Sequence, residues 1–253
     1  MKTLDRSLLV LADCMTFAPG CRFRLTGRTA VGLFPSLYTL ECWNLPEEEY
    51  LRLTRTSGLS VFRGISCLAQ GKVSDVYRRT VPGGTLTTAA FSLGLDLWES
   101  RISLALPAGI SMPDTLRCLL EASGTGIRLL SAPGGNDVFQ RGQAFLGRAA
   151  DCITEALGKA RGILLPAGLR ALPAAPLPPL LHFTGADLTD APAFADGGKK
   201  MILSTQVIGF QPGEELTLEY KGNTVRGMIL ERMVDADTGN GPWSTQLLVE
   251  VHS

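Results

Sequence analysis

Histidine is nearly missing from this chain: 253 residues contain only His182 and His252. A Ser-His-Asp or Cys-His arrangement would have to use one of them, or a lysine instead. His182 stands between Leu181 and Phe183 in an apolar run and reads as a strand residue, and His252 is at the C-terminal edge, a poor place for a preorganised base. An imbalance of charge is missing too, with Lys plus Arg at 24 and Asp plus Glu at 24. That excludes a general attraction to nucleic acid or to an anionic membrane surface, and near-zero net charge favours association. No run approaches the roughly 18 apolar residues of a membrane-spanning helix, so membrane insertion is not expected. The apolar stretch ahead of Cys14 is about five residues, against about 7–15 in a signal peptide, and Asp5 and Asp13 flank it. The expectation is a soluble protein without a targeting signal. The six cysteines, Cys14, Cys21, Cys42, Cys67, Cys118 and Cys152, form no CxxC pair. They read as free, largely buried thiols of a reducing compartment.

Turn formers are plentiful, with 28 glycines and 15 prolines dividing the chain into short segments. The last fifty or so residues hold four strand-like runs, 201–208, 215–220, 224–233 and 243–251, with Lys221-Gly222-Asn223 and the loop 235–242 between them. The first half is similar. A strand opens at Arg22, and 38–43 alternates with Tyr38, Leu40 and Cys42 on one face and Thr39, Glu41 and Trp43 on the other. Asn44 is expected to cap a short helix that has Pro46 and three glutamates in its first turn. Runs 59–62, 65–73, 75–80 and 85–93 follow as strands. The middle mixes types: a strand at 101–106, a helix at 113–121 preceded by Ser111 or Met112, a strand at 127–130, an ambiguous stretch at 136–147, an amphipathic helix at 148–161 and a hairpin-like run at 162–169. Residues 171–199, rich in Pro, Ala, Gly and Asp, read as a linker or a surface arm. The expected class is α+β, mainly β: two small antiparallel β-barrel-like domains joined by an α/β segment. Their bounds are 1–105 for the N-terminal domain, 106–170 for the segment, 171–199 for the linker or arm and 200–253 for the C-terminal domain.

Motifs that would carry chemistry are weak. Asp235-Ala236-Asp237-Thr238-Gly239-Asn240-Gly241 resembles a calcium loop, but Gly239 and Asn240 are out of register and Gln246 stands where the bidentate Glu belongs. A hairpin tip explains it better. The glycines at 83–84 and 134–135 lack the Lys-Ser/Thr of a phosphate loop. Glu47-Glu48-Glu49 and Glu214-Glu215 read as a solvated helix start and a turn rather than as a glycosidase pair. Trp43, Trp98 and Trp243 are placed like core or interface residues rather than a sugar platform. No catalytic, cofactor-binding or metal residue is assigned, no cofactor is expected, and the chain reads as a non-enzyme.

Several segments together resemble the baseplate hub proteins of contractile-tailed phages and related tail-like particles. These are Phe23-Arg24-Leu25-Thr26-Gly27 with Gly32-Leu33-Phe34-Pro35-Ser36, the strand 38–43 ending in Asn44-Leu45, Val61-Phe62-Arg63-Gly64, and, near the end, Gly209-Phe210-Gln211-Pro212-Gly213, Arg226-Gly227-Met228 and residues 237–245. The resemblance implies a homotrimeric ring in which each subunit supplies two barrels, so that a six-fold tail tube meets a three-fold central spike. It implies as partners the tail-tube protein, the central spike protein and the tape-measure protein, and as location the baseplate of a virion tail made in the bacterial cytoplasm. A head-to-tail contact that closes on itself suits such a ring. A cell-wall-degrading tail enzyme and a carbohydrate-binding module are the alternative readings.

Overall fold

A computed structural model describes residues 6–13, 15–17, 21–132, 138–173 and 177–252. Cys14 and the glycines at 134–135 lie outside the described residues. The N-terminal part runs β1 (Leu9–Ala12), β2 (Met15–Thr16), β3 (Arg22–Ala30), β4 (Ser36–Trp43), α1 (Glu47–Arg55), β5 (Gly58–Arg63), β6 (Ser66–Val81) and β7 (Gly84–Leu93). The middle contains α2 (Leu95–Glu99), β8 (Arg101–Leu106), α3 (Met112–Ser123), β9 (Leu129–Ser131), β10 (Gln143–Arg148), α4 (Ala149–Leu157), β11 (Arg161–Leu165) and β12 (Gly168–Leu172). Then come β13 (Leu181–Thr184), β14 (Ala193–Ala195), β15 (Lys200–Thr205), β16 (Glu215–Tyr220), β17 (Asn223–Asp237) and β18 (Trp243–Val251). The chain is mainly β, as expected from its alternating runs.

The chain divides into two compact units, the first made of Met1–Thr29, Ser36–Ser92 and Pro179–Ser253, the second of Ala30–Pro35 and Leu93–Pro178. In the first, all strands belong to one 13-stranded sheet, ordered β14-β15-β18-β17-β3-β4-β7-β6-β5-β1-β2, with β16 on the far half of β17 and β13 parallel to β16. The sheet is open, and among the described residues no closed barrel is formed. It joins both ends of the chain, because C-terminal β17 pairs with N-terminal β3. Two cores lie along it. One combines Leu25, Leu40, Leu59, Leu68 and Phe91 with Ile208, Val234, Ala236 and Trp243. The other holds Phe183, Met201, Leu203, Leu216, Leu218, Ile229, Leu247 and Val249. Strands β17 and β18 thus serve both cores with different halves.

The alternation read from β4 holds: Tyr38, Leu40 and Cys42 are buried, while Thr39, Glu41 and Trp43 are half-buried. The runs 65–73 and 75–80 are one strand, β6, whose pairing with β7 shifts between Val73 and Asp75. A bulge there keeps the strand continuous while its facing alternation slips. The expected Asn44 cap is not formed. Pro46 holds the N-cap position of α1, and Asn44, at φ +52°, instead accepts a hydrogen bond from the Thr85 amide at 3.0 Å. Residues 171–199 are not all linker: they include the end of β12 and both β13 and β14, which join the edges of sheets.

In the second unit, β8 and β10 form an antiparallel pair, and β11, β12 and β9 form a separate sheet. Ser111 caps α3, its hydroxyl accepting from the Asp114 amide, and Gly124 ends the helix at φ +66°. Helix α4 is shorter than its apolar period suggests, because Gly158 at φ +56° stops it before Ala160. Its apolar side packs as expected, with Ala149, Cys152, Ile153, Ala156 and Leu157 all buried.

Candidate functional site

The most organised polar feature runs along the contact between β3 and β17. A strand places every second side chain on the same face. On β3 that row includes Arg22, Arg24 and Arg28, and on β17 it includes Asp237, Asp235 and Glu231. As one number rises by two or four the other falls equally, as antiparallel pairing requires. Arg22 meets Asp237 through Nε–Oδ1 at 2.9 Å and Nη2–Oδ2 at 2.6 Å. Arg24 meets Asp235 at 2.8 and 2.9 Å, and Arg28 Nη2 meets Glu231 Oε2 at 2.6 Å. The first two pairs are bidentate forks, which add orientation to attraction. Arg22 also lies over the Trp43 ring, 4.3 Å from its centroid.

This ladder accounts for the calcium-like loop. Both of its carboxylates are engaged by arginine, and Asp237, nearly fully buried, also accepts from the Gly239 amide at 2.7 Å. Gly239 and Gly241 are needed for close approach: a Cβ on Gly241 would stand 2.1 Å from Asp237 Oδ2, and one on Gly239 2.6 Å from Arg22 Nε. Arg6 donates to the carbonyls of both glycines, at 3.2 and 3.1 Å. Burial pushes the Asp237 carboxyl up, but the Arg22 fork and the Gly239 amide outweigh it and hold the group below the usual carboxylate range.

On the opposite face of β17 sits a buried cation. Arg232 is 1% exposed and donates to the carbonyls of Phe210 at 2.9 Å and Leu68 at 2.5 Å. Burial pushes its guanidinium pKa down. It ties residues from β6, β17 and the loop after β15 into one knot.

The chemistry-bearing residues read from the sequence are placed apart or engaged. His182 is exposed on β13, and His252 Nε2 pairs with Glu215 Oε2 at 2.7 Å. Glu47 pairs with Arg78, Glu49 with Arg52, and Glu214 accepts from the Gln211 amide. Trp243 is buried, and Trp98 donates from Nε1 to the Leu33 carbonyl at 2.6 Å. Of the described cysteines, Cys42 and Cys152 are buried and Cys21, Cys67 and Cys118 are half-buried, and all are free. Burial raises the Cys42 thiol strongly and pushes Cys67 up to about 11, which keeps both protonated and poorly nucleophilic. An open hollow of about 380 Å³ beside α1 is lined by Ala12, Asp13, Glu48, Leu51, Arg52, Arg55 and Thr56. No group of metal-ligating side chains occurs among the described residues. Sequence reading overlooked the arginine ladder, although matching spacings, R-x-R-x-x-x-R in β3 and E-x-x-x-D-x-D in β17, were there to be found.

No family model matches the chain, and no curated relative does. Solved structures do. A tail protein from Neisseria meningitidis superposes with a TM-score of 0.71 at 10% identity, over 96% of this chain and 95% of that one. A 43 kDa tail protein of prophage MuSo2 from Shewanella oneidensis gives 0.70 at 8% identity, over 96% of both chains. A type VI secretion component from E. coli, described as structurally similar to the T4 bacteriophage tail proteins gp27 and gp5, gives 0.65 at 9% identity, over 96% of this chain and 77% of that one. This chain has the fold of phage-tail proteins. The resemblance read from its sequence is thereby borne out at the level of the fold.

Proposed function

We propose that the chain is a structural, non-catalytic hub of a phage tail or tail-like particle. Three copies form a head-to-tail ring that adapts a six-fold tail tube to a three-fold central spike, in contact with the tube, spike and tape-measure proteins. The two β-rich ends, joined in one open sheet, serve as the main body of each subunit. The protein is made in the bacterial cytoplasm and resides in the baseplate. The observation that carries this reading is the extent of the likeness: it covers 96% of this chain and 95% and 96% of two tail proteins, not one module. The β3–β17 ladder fits the role, since an adaptor that transmits load gains from joining the two ends of its chain in one sheet.

The test is co-expression with the neighbouring tube and spike proteins, followed by native mass and negative-stain imaging. The expected result is a complex with three copies and three-fold averages. A chain that stays monomeric with those partners, or that clears a suspension of cell walls alone, overturns the reading.

A further inference from the structure

The second unit carries an exposed stripe that, among the described residues, has no counter-charge. In the β8·β10 pair, Ile102 and Phe145 turn inward and are buried. The other face, including Arg101, Ser103, Leu146 and Arg148, is exposed. On it Arg101 and Arg148 are direct cross-strand partners. Like charges directly opposite one another destabilise a strand pair. Carboxylates lie nearby in sequence at Glu99 and Asp151, yet among the described residues neither arginine makes an ion pair. The stripe has apolar ends. Leu146, two residues from Arg148 on the same face, is 82% exposed. At the other end the Arg148 guanidinium lies 5.8 Å from the centroid of Trp98, whose ring stacks on Phe34 at 5.8 Å and 20°. Phe34 is itself 64% exposed. The order along the surface is aromatic pair, arginine pair, leucine.

From this arrangement we infer that the stripe is a docking surface for an acidic, extended segment of a protein partner. Carboxylates of the segment pair with Arg101 and Arg148, and its apolar side chains lie on Phe34 at one end and Leu146 at the other. Charge complementarity selects this occupant. Two adjacent guanidiniums without a carboxylate attract anions, and the flanking apolar groups favour a side-chain-bearing peptide over a bare anion. Alternate side chains of an extended segment point the same way, which suits a row of sites. The surface stands on the geometry of this unit alone and does not depend on the ring reading.

The test uses the full chain and a synthetic probe, acetyl-Glu-Leu-Glu-Glu-Phe-Glu-amide, with its Lys-for-Glu analogue and a short oligothymidylate as controls. Titration calorimetry is expected to show saturable binding of the acidic peptide that weakens as salt rises from about 0.05 to about 0.5 M. R101S and R148S should each weaken it at least about tenfold, because a desolvated charge partner is lost. L146S should weaken it less. All three positions are exposed and R101S and R148S relieve the like-charge pair, so melting temperatures equal to or above that of the unaltered protein are expected and would separate lost binding from lost folding. Absence of peptide binding, equal binding of the lysine analogue, tighter binding of the oligonucleotide, or indifference to both arginine substitutions would each overturn the proposal.

Discussion

Asp237 concentrates the electrostatics of the ladder in one carboxyl group. Its side chain is 2% exposed and is held by an Arg22 fork and a backbone amide. A carboxyl whose folded pKa lies below its unfolded value, about 3.9, stabilises the fold above that value and ceases to do so as pH falls through the folded pKa. Acid unfolding should therefore steepen below about pH 4. Asp237→Asn should cost about 1.5–3 kcal/mol at neutral pH, the worth of hydrogen bonds to charged groups, and the gap from the unaltered protein should narrow in acid. Denaturant titrations at neutral pH and at about pH 3 would check this, and an equal gap at both would contradict it. Arg232 offers the opposite balance. Its charge is buried against neutral carbonyls, so desolvation works against it. Arg232→Met relieves that burden but leaves the Phe210 and Leu68 carbonyls without their donors. Unmade buried acceptors cost about 1–3 kcal/mol each, and the expected net loss is about 2 kcal/mol. A melting midpoint that rises would mean that desolvation outweighs the lost bonds.

At the scale of elements, β3 and β4 are locked by a glycine. Gly27 lies opposite Tyr38, whose ring covers it: a Cβ on Gly27 would meet Tyr38 Cδ1 at 2.2 Å and the Leu37 carbonyl at 2.9 Å. The same Tyr38 hydroxyl reaches Thr29 Oγ1 at 2.5 Å, and the ring stacks on Phe91 at 5.2 Å. Gly27→Ala should thus destabilise by about 2–3 kcal/mol through overpacking, although alanine is otherwise benign in a strand. Thermal unfolding would check it, and a shift smaller than about 2 °C would count against the contact. Elements with strong local signals were legible: the alternation in β4, the start of α3 at Ser111 or Met112, and the apolar side of α4. Elements without them were not. Strands β1 and β2 hide in what reads as an abortive export signal, and α2, five residues long, is too short to show a period. The false cap at Asn44 has a plain cause. Asn suits both an N-cap and a left-handed turn, and the Thr85 amide, 41 residues away, decides between them.

For the whole molecule, the N-terminal β-rich end does not close a core of its own, whereas the C-terminal end has one core to itself and lends strands to the other. The N-terminal core includes Ile208, Val234, Ala236 and Trp243, all buried. A fragment of residues 1–105 is therefore expected to show no cooperative melt, because it lacks those side chains and exposes the β3 edge that β17 covers. Adding a fragment of residues 179–253 should restore a β-type circular dichroism spectrum and a single transition. A cooperative melt by the first fragment alone would show that its core closes without the C-terminal strands.

Period-two runs, turn glycines and prolines, and capped amphipathic helices are local properties. From them the chain's mainly β character and most of its strands followed directly. The partners of those strands did not, because pairing is chosen by contacts between residues far apart along the chain. Arg22 and Asp237 are separated by 215 positions, and nothing within either strand names the other. The same holds for Arg232, which in sequence is a charged residue between Glu231 and Met233 and becomes buried only when carbonyls 22 and 164 positions away converge on it. It holds equally for the joining of both ends in one open sheet, where the sequence suggested two self-contained barrels. Local periodicity sets which face of a strand is apolar, and tertiary structure alone decides what that face and its edges meet, since loop closure is cheap enough in entropy to allow many pairings and only packing selects among them.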